Sequence, residues 1–455
     1  MTDKVFLTAR NDGLGERLKA LLNAMVLAEF FGVDFKFQWR LNPTLRTQHH
    51  CIESKLVTFT PEFLTDHDLP HFDRTDYPVL LPVRASQDAV RAALAGAPGG
   101  LLVNQEPLDN LIDFANEIPP SAYRDAFERI GFSTLLMDAM AAARSAAIPA
   151  TSVALHLRAG DIVYGDFRMV GTLNQKALCY PLAKAFILQL LDMGKYPLVF
   201  GQDMTTCRLL ARTAGLRLAR DYLPPTWSSL AEALAEIVLM ARCHEIYAGV
   251  SGFSRVAALI GEGELLTPLD VAEPSDLIDV IVAEPDLYNE DIALPALQKA
   301  FAFATVVALG EGVVASQSLI EALDYALIHD PDNAYYSLMK ARFETDTGDI
   351  MAAEATLSGM LERVDRTVDF RDTPLRRVIK HTYRGVSSSG RRMLRAYLDK
   401  LRFCRDRELA ATRAVGAIAT RALNRGEHFE DEIAARAERV AQRQGSTPEA
   451  VDVVA

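Results

Sequence analysis

His156, Arg158 and Asp161 arrive within six residues, at the end of the apolar run Val153-Ala154-Leu155 and around Gly160, where the chain must turn. A short apolar run of this kind is the pattern of a buried parallel strand. In open α/β folds ligands bind at the carboxyl ends of such strands, and a planar guanidinium there is a ready clamp for phosphate oxygens. The same residues are also consistent with a polar strand end that simply meets water. A second candidate lies near the start of the chain, where Gly13-Leu14-Gly15 falls between an apolar run and a helical pattern. The third glycine of G-x-G-x-x-G is missing, so a dinucleotide fingerprint is excluded, and a close-packed turn or a ligand cradle remains.

These residues need a framework. KVFLTAR, NDGLG and ERLKALLNAMVLAEFFG read as strand, glycine turn and helix, and DFKFQW follows as a strand, which makes a βαβ opening. From about Phe59 to Ala150 the pattern is mixed, with the short apolar runs YPVLLPV and GGLLVNQ. A second series starts at Val153: helix YPLAKAFILQLLDMG, strand YPLVFGQD, helices MTTCRLLARTAG and SLAEALAEIVLMARC, strand HEIYAGV, then SGFSR and helix VAALIG. The expected fold is α/β, with two Rossmann-like domains over residues 1–150 and 151–290 and a cleft between them.

Beyond this the pattern becomes nearly all helix. In SLIEALDYALIHDPDNAYYSLMKARFETDTGDIMAAEATLSGMLERV, small residues such as Ala341, Ala352 and Ala353 and the DPDN turn at 330–333 resemble a tetratricopeptide repeat. Only about one and a half repeats are legible, fewer than a free-standing array needs, so residues 291–365 are expected to pack on the rest of the protein. Residues 366–455 read as a basic helical tail with a disordered end: between Arg371 and Arg425 there are fifteen Lys and Arg against four Asp and Glu. Such a run is a solvated helical face or a docking surface for an acidic partner or anionic glycan, and SSSGRR at 387–392 reads as a break within it.

At 455 residues, 49% of them hydrophobic and 24% charged, the chain has room for two or three domains with large cores. A net charge of -12 argues against a general nucleic-acid binder, which needs a basic footprint. No stretch approaches the roughly 20 apolar residues of a membrane span, and MTDKVFLTARND does not read as a secretory signal, so a soluble cytoplasmic protein is expected. Cys51, Cys179, Cys207, Cys243 and Cys404 are scattered singly and read as reduced core thiols. His49-His50 beside Cys51 sit after the loop-like RLNPTLRTQ, and no metal site is expected there.

Four pieces in this order, DGLGERLKALLNAMVLAEFFG, HLRAGD, LVFGQD and EIVLMARCHEIYAGVSGFSRVAALIG, resemble the fucosyltransferase superfamily of α1,2-, α1,6- and protein O-fucosyltransferases over roughly residues 4–261. The resemblance implies two Rossmann-like domains of the GT-B type and inverting transfer from a GDP-sugar to a glycan or protein hydroxyl, with no metal and no other cofactor. It makes Arg158 the diphosphate clamp, by bidentate contacts, and His156 a contact to the donor nucleoside. Asp203 and Glu236 fall where relatives hold the donor with carboxylates, and Ser251, Gly252, Phe253 and Ser254 match the motif that meets the diphosphate at a helix start. On the bland reading Asp203 caps a helix and the serines form an N-cap.

The family's glycine loop matches Gly13, Gly15 and Arg17, with Glu16 where relatives have asparagine, and it lies near the acceptor or the sugar. Ala159 stands where many relatives carry a second arginine. Counting ten residues from the motif histidine, as in the α1,6 members, gives Asp166 as the base, with Asp161 as the alternative base or as the residue that fixes the turn or holds Arg158. The partners implied are a nucleotide sugar and a glycan or protein acceptor, with a protein partner or self-association through the helical C-terminal region. Competing readings are a degenerate, non-catalytic transferase body carrying a helical scaffold, favoured by Ala159 and Glu16, and a transferase using another nucleotide sugar.

Overall fold

The computed structural model describes residues 4–41, 51–80, 84–169, 171–225 and 228–365. His49, His50, Cys404, the basic stretch and the SSSGRR break lie outside the described residues. In chain order the strands are β1 (Val5–Arg10), β2 (Asp34–Trp39), β3 (Gly100–Leu102), β4 (Ser152–Leu157), β5 (Tyr196–Gly201), β6 (Glu245–Ala248) and β7 (Glu264–Leu266). The described helices of ten residues or more are α1 (Leu14–Phe31), α2 (Gln87–Gly96), α3 (Thr134–Ser145), α4 (Tyr180–Asp192), α5 (Met204–Ala214), α6 (Ser229–Met240), α7 (Gly252–Gly261), α8 (Ala296–Gly310), α9 (Ser316–His329), α10 (Ala334–Asp346) and α11 (Ile350–Asp365). The protein is therefore mixed α/β.

The strands form two sheets, of order β2-β1-β3 and β5-β4-β6-β7. β1 runs parallel to both β2 and β3, paired from Val5 with Asp34 to Arg10 with Trp39, and from Val5 with Gly100. β4 is parallel to β6, with His156 opposite Ala248, and β6 is parallel to β7. Parallel pairing requires a crossover between strands, which α1 supplies between β1 and β2. α1 ends where Gly32 turns left-handed at φ 65° and returns its N–H to the Ala28 and Glu29 carbonyls, a conformation that favours glycine.

The chain divides into two compact units. The first comprises residues 1–156, 190–200 and 215–267, and so holds both sheets up to the last residues of β4 and β5. Its core is one cluster that includes Phe6, Leu18, Leu21, Phe37, Leu198, Leu234 and Ile246. α1 is buried on nearly every side because it packs on β1 and β2 and also on α7. Each fully buried Leu or Phe contributes about 1.5–3 kcal/mol relative to exposure, so this cluster dominates the stability of the unit.

The second unit comprises residues 157–189, 201–214 and 268–455. Beyond Thr267 its described elements are helices, and α8, α9, α10 and α11 pack each on the next. Local chemistry sets the turns between them: Asn333 caps α10 by accepting from the Tyr335 N–H at 3.2 Å. Asp349 likewise accepts from the Ala352 N–H at 2.9 Å, after Gly348 turns at φ 88°.

Candidate functional site

In the first unit the register of β4 on β6 brings separate motifs together. His156 lies opposite Ala248, three residues before Ser251, so the histidine and the serine motif leave adjacent parallel strands at the same edge. The His156 ring lies 5.2 Å from the Phe253 ring, at 31°. Ser251 caps α7, its Oγ accepting from the Phe253 N–H at 3.3 Å, and the buried Ser254 hydroxyl donates to the Ser251 carbonyl at 3.2 Å. The N-cap reading of the serines thus holds as geometry, and it also leaves a helix start facing the edge where His156 emerges.

The glycine loop joins them. A Cβ on Gly15 would stand 2.4 Å from the Gly252 carbonyl carbon and the Phe253 nitrogen, so only glycine permits this approach of the β1–α1 turn to the start of α7. A Cβ on Gly252 would in turn meet the Glu16 carboxylate at 2.7 Å, and Glu16 is held by Lys19 at 2.8 Å. Gly13 is extended at the N-cap of α1. Arg17 is 2% exposed: its Nε donates to the Asp12 carbonyl at 2.6 Å, its guanidinium lies 4.9 Å over the Trp39 ring, and both outer nitrogens are buried without a hydrogen-bond partner. Burial lowers its pKa to about 10, with Asp12 opposing and Arg10 adding to the shift, so it stays cationic at neutral pH.

Glu236, on α6 in the same unit, is 13% exposed and stands 3.8 Å from Arg220, which also pairs with Glu232 at 3.2 Å. Burial raises its pKa to about 7, Arg220 opposing and Glu232 reinforcing the shift. The same group acts on Cys51, whose thiol is pushed up to about 11 first by burial and then by Glu236 and Glu232. Such a thiol is protonated and unreactive at neutral pH.

The second unit carries Arg158 and the acids. Gly160 turns at φ 33°, and the short helix Gly160–Val163 brings Asp161 back to Arg158, whose Nη2 donates at 3.0 and 3.3 Å to the two carboxylate oxygens. Asp166 opens the 3-10 turn Asp166–Met169; its side chain is outside the described residues. Asp203 caps α5 through the Thr205 and Thr206 N–H groups, both at 3.1 Å, and also accepts from the Thr206 hydroxyl at 2.6 Å, from Gln298 at 2.9 Å and from the Tyr164 hydroxyl. Burial alone would raise the pKa of Asp203, but these hydrogen bonds outweigh it and the carboxyl titrates below its ordinary range. The Tyr164 hydroxyl is pushed up, first by burial and then by Asp203.

The helices of this unit brace the segment 160–176. Arg168 Nε donates to Asp330 at 3.1 Å, Asn333 donates to the same carboxylate at 2.9 Å and to the Arg168 carbonyl at 3.4 Å, and the Tyr335 hydroxyl fills the space beside Gly171. Sequence reasoning missed Tyr164, Gln298 and this brace. A signal existed for Gln298, a polar residue inside the apolar run ALQKAFAF and 3% exposed. None existed for Arg168 and Asn333, which are 165 positions apart.

Among the described residues no cluster of three or more His, Cys, Asp or Glu could hold a metal ion, Cys51, Cys179, Cys207 and Cys243 form no disulfide, and no helix is long and apolar enough to cross a membrane.

No family model matches the chain, and no curated protein matches it significantly. Among solved structures it is similar to NodZ alpha-1,6-fucosyltransferase soaked with GDP-fucose, at 14% identity and a TM-score of 0.34 over 56% of this chain and 92% of that one. It is similar to fucosyltransferase NodZ from Bradyrhizobium, at 14% and 0.34 over 57% and 94%. It is also similar to POFUT1 in complex with GDP, at 10% and 0.30 over 58% and 96%. At these scores the likeness carries no weight on activity, which must be read from the residues themselves.

Proposed function

We propose that the protein is a metal-independent, inverting glycosyltransferase that moves fucose from GDP-fucose to a hydroxyl of a glycan or protein. The observation that carries this reading is the meeting of His156, the Ser251–Ser254 helix start and the glycine loop in one unit, since the fucosyltransferase resemblance rests on those same motifs. In this reading His156, the serines and the N-terminus of α7 meet the nucleotide, and the glycine loop with Arg17 lies toward the sugar or acceptor.

Arg158 neutralises the diphosphate as the anomeric bond breaks, and because the leaving group carries the developing charge this is the dominant contribution. Asp161, already engaged by Arg158, holds that guanidinium in place, which leaves Asp166 as the base for the acceptor hydroxyl. Asp203 accepts five hydrogen bonds from its neighbours, so a donor hydroxyl reaching it must displace one of them. Glu236, half-protonated near neutral pH, can either accept from or donate to a base or ribose.

The test is saturation-transfer NMR on the full chain with GDP-fucose, GDP-mannose and UDP-sugars, followed by donor hydrolysis. Selective GDP-fucose signals and turnover support the reading. GDP-mannose preference would name another sugar, binding without turnover would favour a non-catalytic body, and no nucleotide-sugar signal would end the proposal.

A further inference from the structure

A cavity of about 370 Å³ opens within the first unit, between α1, the segment 104–123 and α7, lined from α7 by Arg255, Ala258 and Leu259 and from its C-cap by Glu262. Its volume suits a small organic molecule. One wall is fixed before any ligand arrives. Asn23, 2% exposed, donates to the Asn104 and Glu106 carbonyls at 3.0 and 2.7 Å and accepts from the Tyr123 hydroxyl at 2.7 Å, so its amide is fully committed. One other lining group is not. The half-buried Arg255 guanidinium has neither ion pair nor hydrogen bond among the described residues.

A guanidinium against an apolar wall gains from an anion that meets its fork. The rest of the wall narrows the anion. Lys19 is already held by Glu16, and Glu262 by Arg124 at 2.7 Å, which among the described residues leaves Arg255 as the lining cation without an ion pair. The lining carries three carboxylates, Glu106, Asp109 and Glu262, against two cations, Lys19 and Arg255, a balance whose repulsion grows with ligand charge and so disfavours a diphosphate far more than a single carboxylate. The apolar part of the lining includes Leu108, Ile118 and Leu259.

We propose that this groove binds a small amphipathic monocarboxylate: the carboxylate on Arg255 and the apolar body along Leu259 and Leu108. The site is separate in residues and in charge from the nucleotide-sugar site and stands whether or not that reading holds.

The probe is hippurate, which has a carboxylate, one amide N–H and an apolar ring; its methyl ester is the control. Both are titrated into the full chain by calorimetry and saturation-transfer NMR. Hippurate should bind, and the ester should bind at least about tenfold more weakly, as expected for loss of one charge-assisted contact. Arg255→Met should weaken hippurate by a similar factor at an unchanged melting temperature, Leu259→Trp should block it, and GDP-fucose affinity should be the same in both variants. Equal affinity for acid and ester, unchanged hippurate affinity in Arg255→Met, or no hippurate binding at millimolar concentration would overturn the proposal. The acid–ester comparison needs no variant, so a misfolded mutant does not spoil the test.

Discussion

Replacing Gly15 with alanine would test whether the glycine loop and the serine motif act as one site. The new methyl carbon would lie 2.4 Å from two backbone atoms at the start of α7, neither of which can rotate away as a flexible side chain would. To reach an ordinary carbon contact of about 3.5 Å the two segments must part by about 1 Å. Because α1 packs along α7, the strain spreads into a close-packed interface, and overpacking of this kind costs roughly 1–3 kcal/mol. A displacement of about 1 Å at a positioned group can cost about 100-fold in turnover, so the functional loss should be comparable to the loss of stability. The assay pairs thermal unfolding with calorimetric titration of GDP-fucose. Gly96→Ala serves as control, since no atom lies within 4 Å of its Cβ and its helix should gain slightly. Gly15→Ala with wild-type melting temperature and wild-type GDP-fucose affinity would refute both the close approach and the shared site.

Arg158→Ala should lower transfer by at least about 100-fold with little change in fold, since it removes a charge contact made most strongly in the transition state; initial rates and circular dichroism check this. The rate should be the same in EDTA as with added Mg²⁺ or Mn²⁺, and loss in EDTA restored by metal would count against the mechanism. Glu236 has a folded pKa of about 7, above its ordinary 4.5, so its contribution is full below about pH 4.5 and is lost as pH rises through about 7. Glu236→Gln should therefore gain unfolding free energy relative to wild type between pH 5 and 8, on the order of a few kcal/mol, and parallel pH curves would refute it. Asn333→Ala removes the α10 cap and two bonds of the brace, which should cost about 1–3 kcal/mol and speed amide exchange in residues 160–176, read by mass spectrometry.

What the sequence by itself determined was local. The apolar runs became β1, β2, β4, β5 and β6, and the periodic segments became α1, α4, α5, α6 and α7, because burial of a strand or helix face writes itself as a repeat within ten or twenty residues. The turn at Gly160 and the capping side chains at Asp203 and Ser251 were legible for the same reason: the groups they serve lie within a few residues. The division of the chain into discontinuous units, with His156 and Arg158 on either side of the boundary, is written in no local pattern.

The tertiary structure alone decided which of these residues meet. The register of β4 on β6 set His156 beside Phe253, and a clearance that only glycine allows set Gly15 against Gly252. It also assigned the acids their partners: Asp161 to Arg158, and Asp203 to Tyr164 and Gln298. Arg17 enters the sequence reading only as part of the glycine loop, and the structure encloses it over Trp39 with its outer nitrogens unmatched. Such pairings depend on long-range packing, in which contact is set by shape and burial rather than by distance along the chain, and one sequence carries no record of which of its many polar side chains will be left without water.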